Sequence, residues 1–160
     1  MACKTTPKYV ADSQIEQVQV VMPQHLNGYG KLFGGQLAVW IDILAGTVAR
    51  RHCGMAITTA AIDNLRFRGS VKQNEMVVMC GRMTHVGNTS MEIRVDSYVE
   101  DDNGDKRLIN TAFVIEVALD EDGKPCPVPE LLLRTPEEEK EFQDGAKRRE
   151  MRLKLRDELY

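Results

Sequence analysis

The chain has 160 residues, of which 42% are hydrophobic and 28% charged, so it is long enough for one globular domain with a real core. A net charge of -3 argues against a nucleic-acid surface, which normally carries a basic excess on one face. No segment offers the roughly 20 apolar residues of a membrane span, and the first residues lack the apolar core of a signal peptide. These features predict a cytoplasmic protein whose partners include neither a membrane nor a nucleic acid.

The four cysteines do not form a pattern typical of metal binding. Cys3, Cys53, Cys80 and Cys126 include neither a Cys-x-x-Cys pair nor a cluster with histidine. They are predicted to be free thiols in a reducing compartment, and no metal site is expected.

The first part of the chain is predicted to contain an arm, a short strand and a glycine-rich loop. Residues 1 to about 13 are expected to be a loose arm, whereas residues 17–22 alternate as a strand does until Pro23 ends the pattern. The glycines of the loop allow positive φ and close backbone approach, and the last two mark the predicted start of a helix. They are Gly28, Gly30, Gly34 and Gly35.

The segment 36–49 is almost entirely apolar, and Asp42 is the one acid in it. A helix that is apolar nearly all round is normally buried on all sides, so we expect the core helix of the domain, which ends near Arg50 and Arg51. The neighbours of Asp42 on the helical wheel are mostly small, which leaves room for another backbone or a slender ligand. They are Gly35, Ala38, Val39, Ala45, Gly46 and Ala49.

Beyond Gly54 the hydrophobic pattern changes to period two, which is typical of strands. Turn residues separate the segments, so an antiparallel meander is predicted. One long helix and about five strands indicate an α+β structure in which a curled sheet wraps the helix, and the open edges of such a sheet predict an oligomer. The four strands after the helix are predicted at 56–68, 76–85, 90–100 and 107–119.

The end of the chain is expected to lie outside this domain. Three prolines between Pro125 and Pro129 indicate a stiff linker, and Thr135-Pro136 followed by three glutamates is typical of a helix start. The helix that follows is mostly charged with few apolar side chains, so it is predicted to pack only lightly. The predicted organisation is an N-terminal arm (1–13), a domain (14–124), a proline-rich linker (125–134) and a C-terminal helical tail (135–160).

Two explanations are open for Asp42. It is a structural acid paired with an arginine or a partner chain, since buried carboxylates are rare unless paired, or it is a general base or nucleophile at the end of a ligand channel. The backbone N–H groups of Gly34 and Gly35 at the helix start suit an oxyanion. Asp42 lies about 10 Å further along the axis at 1.5 Å per residue, so a single reacting centre would have to be built between subunits.

The loop does not fit the common nucleotide-binding motifs. It lacks the Gly-x-Gly-x-x-Gly spacing, and no Gly-Lys-Ser/Thr sequence occurs in the chain. The absence of a Gly-x-Ser-x-Gly elbow disfavours a serine esterase.

The loop and the helix together resemble the motif of the hotdog-fold acyl-CoA thioesterases, a family that includes the YciA-type bacterial enzymes and the animal cytosolic acyl-CoA hydrolases. Segments 62–67 and 86–91 are similar to the second strand and the Gly-x-Thr-Ser turn of the same family. The motif reads His25-x-Asn27-x-x-Gly30-x-Leu32-Phe33-Gly34-Gly35-x-Leu37-x-x-x-x-Asp42.

This resemblance implies a hotdog fold, whose chains dimerise side by side and commonly form hexamers as trimers of dimers. It implies that Asp42 is the catalytic base or nucleophile, that Asn27 of another chain binds the water or the thioester, and that the N–H groups of Gly34 and Gly35 polarise the thioester carbonyl. No cofactor is expected, because coenzyme A is part of the substrate.

Coenzyme A carries phosphates, so cations and hydroxyl groups near the motif are further candidates for substrate binding. Each has a structural alternative, since a basic strand face can be merely solvated, a hairpin favours small polar residues and a histidine can fasten a loop. The candidates are His25, Arg66, Arg68, Gly87, Thr89 and Ser90, with Lys72 and Arg82 as further cations.

The predicted activity is hydrolysis of fatty acyl-CoA to free fatty acid and CoA. An acyl-thioester dehydratase is disfavoured, because the helix carries no histidine before His52. The alternative from a different class is a non-catalytic hotdog protein that binds acyl-CoA as a sensor or scaffold.

Overall fold

The chain is organised around the long helix that the sequence predicts. The computed structural model describes residue 3 and residues 6–159, and none of the helices in this part is long and apolar enough to cross a membrane. A short 3-10 helix, Pro23–His25, precedes the glycine-rich loop. The other elements are β1 (Lys8–Tyr9), α1 (Val10–Ser13), β2 (Ile15–Val20), α2 (Gly34–Cys53), β3 (Ala56–Asp63), β4 (Met76–Val86), β5 (Ser90–Glu100), β6 (Lys106–Leu119), β7 (Leu131–Leu132) and α3 (Pro136–Leu159).

Five strands form one antiparallel sheet in the order β2-β4-β5-β6-β3. β4, β5 and β6 follow one another as the predicted meander. β3 does not belong to it, because it pairs with β6 at the far edge rather than with β4, so the expectation of four consecutive neighbours is wrong. Alternation of side chains fixes which face of a strand is buried, but it does not identify the neighbouring strand.

The hydrophobic core lies between α2 and the sheet, and α2 contacts all five of its strands. Five bulky side chains of the helix are buried against the sheet; they are Leu37, Trp40, Ile41, Leu44 and Val48. Gly81 of β4 lies so close to the helix that a β-carbon there would be 3.2 Å from atoms of Leu44 and Val48. Glycine at this position therefore lets the sheet pack closely against the helix.

The helix begins at Gly34, as predicted, and continues to Cys53, past the expected end near Arg50 and Arg51. Gly54 ends it in the left-handed region with φ of 68°, and its N–H donates to the Arg50 carbonyl. The expectation that the helix is buried on all sides is wrong for the single chain. Val39 and Ile43 are 51% and 56% exposed, because the sheet covers only one side of α2.

β3 is shorter than the predicted strand 56–68, since it ends at Asp63. Asn64 takes a positive φ of 61° and turns the chain out of the sheet. The following loop, residues 64–70, is then fastened to β6, because the Arg68 N–H donates to the Ile109 carbonyl at 2.9 Å. This loop reaches the glycine-rich segment and forms part of the site described below.

The N-terminal segment is not loose where the structure describes it from Lys8 onward. β1 pairs in parallel with β7, and Val10 and Ser13 are buried. A segment of six residues is too short to show a periodic pattern, which is why sequence alone did not predict this packing. The predicted arm also includes residues 1, 2, 4 and 5, and the predicted tail includes residue 160, all of which lie outside the described residues.

α3 begins at Pro136, where the sequence predicts a capped start. The Thr135 hydroxyl accepts a hydrogen bond from the Glu138 N–H at 3.1 Å, and the Glu138 carboxylate accepts one from the Arg134 N–H at 2.6 Å.

The prediction that this helix packs only lightly is wrong. Arg148 and Arg152, one turn apart on α3, both bind the carboxylate of Glu92, whose side chain is only 1% exposed. Arg148 forms two hydrogen bonds, of 3.2 and 2.8 Å, and Arg152 also contacts Asp63 at 2.9 Å. The helix is held by buried ion pairs, which a count of its apolar residues does not reveal.

Candidate active site

The glycine-rich loop is fixed by its own backbone hydrogen bonds. Leu26 and Leu32 form an isolated antiparallel bridge, and the Asn27 N–H donates to the Lys31 carbonyl at 2.7 Å. Gly30, with φ of 70°, permits the tight turn between them. The loop therefore holds Asn27 at a defined position beside the start of α2.

His25 fastens the same loop from its outer end. Its Nδ1 accepts a hydrogen bond from the Met22 N–H at 3.0 Å, and its ring packs edge-on against Trp40 with centroids 4.9 Å apart. These contacts fit the loop-fastening alternative for His25, while its contact with a substrate stays a prediction.

Within the part of the chain that the structure describes, the side-chain amide of Asn27 keeps a free donor. Its Oδ1 accepts two backbone hydrogen bonds, from Tyr29 at 2.9 Å and from Lys31 at 3.2 Å. Backbone N–H groups can only donate, so the oxygen of the amide faces the loop and the Nδ2 group faces away from it. Asn27 is thus arranged to donate to a carbonyl oxygen or a water molecule.

The first turn of α2 offers two more donors. The N–H groups of Gly34 and Gly35 have no acceptor within the described residues, and no side chain caps the helix at Phe33. Free N–H groups and the positive end of the helix dipole both favour a developing negative charge. A side chain at Gly34 would meet the Phe67 ring, since a β-carbon there would be 3.1 Å from it.

Asn27 and Gly34 line one cavity of about 610 Å³. The cavity lies between the glycine-rich loop and the loop 64–70, and Arg68 brings a guanidinium group to it. Its lining residues are Asn27, Tyr29, Lys31, Leu32, Gly34, Leu37, Phe67, Arg68, Gly69, Ser70, Val71 and Ile109. Of the predicted site residues, this cavity therefore brings together Asn27, Gly34 and Arg68.

Asp42 is not among the lining residues of this cavity. It is half-buried further along α2, where its Oδ1 accepts a hydrogen bond from the Thr59 hydroxyl at 2.8 Å. The same hydroxyl lies 3.1 Å from Oε1 of Glu116 on β6. In one chain the predicted donors and the predicted base are thus in two separate half-sites, as the spacing along the helix predicts.

Thr59 and Glu116 were not predicted from the sequence. Threonine is common in strands, so nothing distinguished Thr59. The sequence around Glu116 could have identified it as a buried acid, because it stands alone between Ile115 and Val117 in an otherwise apolar segment. Acids are rarely fully buried without a partner.

Glu116 has an altered acidity. Its side chain is fully buried, and burial raises its pKa to about 7; the Thr59 hydrogen bond acts in the opposite direction, and the Asp42 charge adds to the rise. Its Oε2 has no hydrogen-bond partner among the residues that the structure describes.

The other predicted binding residues lie outside both half-sites in the single chain. Gly87, Thr89 and Ser90 are in the β4–β5 hairpin, where the Gly87 N–H donates to the Ser90 carbonyl at 2.8 Å. Arg66 is exposed near the 610 Å³ cavity without lining it. Lys72 is also exposed outside the cavity lining.

Arg82 is not available to steer a phosphate. Its guanidinium binds Glu141 at 2.9 Å and Asp96 at 3.1 Å, and the Glu141 hydrogen bond raises the pKa of Arg82 above its ordinary value. The cationic charge is already neutralised by acids, so this candidate from the sequence is wrong.

The exposed stripe of α2 lies beside Asp42. It is formed by every fourth residue of the helix, namely Gly35, Val39, Ile43 and Thr47, all of which are exposed. Large apolar side chains in a row on a helix are typical of a surface that another chain covers. Phe33 and Phe67 near the helix start are also more than half exposed, at 56% and 51%.

The chain resembles proteins whose names and structures are known. The Thioesterase superfamily matches residues 29–105. Cytosolic acyl coenzyme A thioester hydrolase of Rattus norvegicus is 37% identical over 142 residues, which are 87% of this chain but 37% of the relative. The chain therefore spans little more than a third of the length of that relative.

A bacterial relative and a solved structure match over most of both chains. The uncharacterized acyl-CoA thioester hydrolase YkhA of Bacillus subtilis (strain 168) is 36% identical over 132 residues, with 82% of this chain and 77% of the relative covered. The crystal structure of an apo-hexameric acyl-CoA thioesterase has a TM-score of 0.87 and 33% identity, covering 97% of this chain and 99% of the other. The chain therefore belongs to the Thioesterase superfamily, among the hotdog-fold acyl-CoA thioester hydrolases.

Proposed function

We propose that the protein hydrolyses fatty acyl-CoA thioesters to the free fatty acid and coenzyme A, at a site shared by two chains of a homo-oligomer. The observation that carries this proposal is the placement of Asp42, an acid held by Thr59 beside an open apolar stripe of the core helix. The relatives named above are acyl-CoA thioester hydrolases, which supports the substrate class. The word cytosolic in the rat relative's name supports a cytoplasmic location.

Two routes are open to Asp42 in this reaction. As a general base it takes a proton from a water molecule, whose oxygen attacks the thioester carbonyl; the carbon–sulfur bond then breaks, and the proton passes to the thiolate of coenzyme A. As a nucleophile its carboxylate attacks the carbonyl, the carbon–sulfur bond breaks with coenzyme A leaving as the thiolate, and a mixed anhydride forms. Water then hydrolyses the anhydride, which frees the fatty acid and the Asp42 carboxylate, and the proton that water releases passes to the thiolate. In both routes the Thr59 hydroxyl orients the carboxylate through its hydrogen bond.

The donors of the second chain stabilise the charge that develops on the carbonyl oxygen. The Gly34 and Gly35 N–H groups lie at the positive end of α2, and the Asn27 amide has its Nδ2 free to donate to the thioester or to the water. Removing one such donor typically costs about 10²–10³ in turnover number.

The division of the site requires at least a dimer. The exposed stripe of Val39 and Ile43 supports contact with a second copy of the chain, since apolar rows of this kind are normally covered. The hexameric thioesterase that shares the fold supports a trimer of dimers.

Coenzyme A phosphates would be attracted by the cations at the 610 Å³ cavity. Lys31 and Arg68 line it and Arg66 is nearby, and none of the three forms an ion pair within the described residues. Arginine binds phosphate oxygens with two parallel hydrogen bonds, which fixes orientation as well as charge.

The test is release of thiol from acyl-CoA substrates of increasing chain length. We expect Asp42→Asn to lose about 10²–10⁴ in turnover number while it remains folded, because the variant can neither accept the proton nor attack the carbonyl. Asp105→Asn, in the exposed β5–β6 turn, is the matched control and should behave as the wild type. Near-wild-type turnover of Asp42→Asn would contradict the proposal, and binding of acyl-CoA without thiol release would instead favour a sensor or scaffold.

A further inference from the structure

Glu116 is a buried acid to which the hydrolysis above assigns no role. Its side chain is fully buried within β6, and in the described part of the chain its Oε2 has no hydrogen-bond partner. Its Oε1 lies 3.1 Å from the Thr59 hydroxyl, which in turn lies 2.8 Å from Asp42. The three side chains form a line that runs from the interior of the sheet to the proposed base.

Three elements are shaped to bring these groups together. Thr59 and Glu116 are directly opposite each other in the β3–β6 pairing, and the register shifts immediately after Thr59. On α2, Gly46 lies beside the acid, since a β-carbon there would be in ordinary van der Waals contact with Glu116 Oε1, at 3.9 Å. A bulge at such a position commonly directs a side chain at a functional site.

The number of hydrogen atoms available to the Asp42, Thr59 and Glu116 oxygens determines whether both acids can be ionised. Thr59 has one hydroxyl hydrogen, and two carboxylate oxygens lie within hydrogen-bond distance of it. If both acids were ionised, one of the two contacts would bring two oxygens together without a hydrogen between them. A proton on Glu116 satisfies both contacts, because Glu116 then donates to Thr59 and Thr59 donates to Asp42.

We propose that Glu116 is a positioning residue that holds a proton and thereby directs the Thr59 hydroxyl toward Asp42. This inference rests on the proposed function, since it assigns Asp42 to the chemistry. The raised pKa of Glu116, which has burial as its largest cause, supports the same protonation state.

Among the described residues, the surroundings of Glu116 offer no cation to hold its ionised form. From α2 it faces Asp42 and Gly46, from β3 it faces Thr59, and its neighbour across β5 is Met91. Within the described residues, Asp42 is the charged group that acts on it, and that charge is negative.

Ionisation of Glu116 should therefore reduce turnover. The new carboxylate competes for the Thr59 hydrogen, so Asp42 loses its donor and faces a second negative charge. Because the protonated form is the active one, turnover falls as the pH rises through the pKa of Glu116 and is retained below it.

The experiment measures turnover number against pH, from about pH 6 to pH 8.5, for the wild type and Glu116→Gln by loss of thioester absorbance. The amide of Glu116→Gln donates to Thr59 at every pH, so its profile should lack the alkaline fall. We expect the wild type to fall about thirtyfold across this range and the variant to fall less than about twofold, since one ionisation is removed. Glu100→Gln on β5 is the matched control, and its profile should follow that of the wild type.

A second comparison separates positioning from simple packing. In the Thr59→Ala background the contact between the two acids is broken, so Glu116→Gln should no longer change the pH profile. The proposal is overturned if Glu116→Gln keeps the wild-type fall, or if it is folded but inactive at every pH. Absence of thiol release from the wild type on any acyl-CoA would instead be a failure of the proposed function.

Discussion

Replacing Arg148 with alanine should destabilise the fold by about 2–3 kcal/mol, because it removes one partner from a buried ion pair. Breaking such a pair typically costs about 3–5 kcal/mol, since the remaining charge stays buried. The lower value is expected here because the Arg148 side chain is 27% exposed and Arg152 still binds Glu92. Thr84 also continues to donate to the same carboxylate, at 2.7 Å.

The neighbouring residue on α3 provides a matched control. Lys147 pairs with Asp144 at 3.3 Å, but its side chain is 70% exposed. Exposed pairs contribute about 0.2–1 kcal/mol, so Lys147→Ala should have little effect. Arg148→Lys should lie between the two alanine variants, because lysine keeps the charge but cannot form both hydrogen bonds.

Urea unfolding of the variants at one protein concentration measures these differences. A fixed concentration is required because oligomer stability depends on it. If Arg148→Ala and Lys147→Ala lower the free energy of unfolding equally, α3 is not held by the buried carboxylate and the reasoning is refuted.

Two further predictions concern the core and the pH dependence of stability. Gly81→Val should cost about 1–3 kcal/mol in the same urea assay, because its side chain would overlap Leu44 and Val48, and an unchanged midpoint would contradict this close packing. Burial lowers the pKa of His52 below 6.5, so the unfolded chain binds its proton more readily and stability should be lost as the pH falls from 6.5. Urea unfolding at a series of pH values below 7 measures this loss. His52→Gln should reduce it, and an identical loss in the variant would contradict the assignment of the loss to His52.

The sequence predicted helix positions best where hydrophobic periodicity and helix-capping residues indicated the same element. The start of α2 at Gly34 and the capped start of α3 were predicted because glycine, threonine and proline act through the nearby backbone. Burial of Leu44 and Val48 followed from the almost entirely apolar composition of segment 36–49. The position of β3 was missed, since the long connection after Asp63 allows the chain to reach either edge of the sheet.

Prediction of the two half-sites from the sequence was limited in the same way, by contacts between elements distant along the chain. Asp42 and Asn27 were identified from a resemblance and from a lone acid in an apolar helix. Their separation followed from the rise of a helix, but Thr59 and Glu116 were not predicted, because their contacts connect elements that are distant in sequence. Docking of α3 was missed for the same reason, since the Arg148 contact depends on a buried acid on β5.

Mixing two inactive variants tests most directly whether the site is shared between chains. Asp42→Asn and Asn27→Ala are each expected to be inactive, and chains of the two kinds are co-expressed in equal amounts so that they form mixed oligomers. In a mixed dimer one site takes Asp42 from one chain and Asn27 from the other, both wild type. Random assortment should therefore restore about a quarter of wild-type turnover. No recovery in folded mixed oligomers would contradict a shared site.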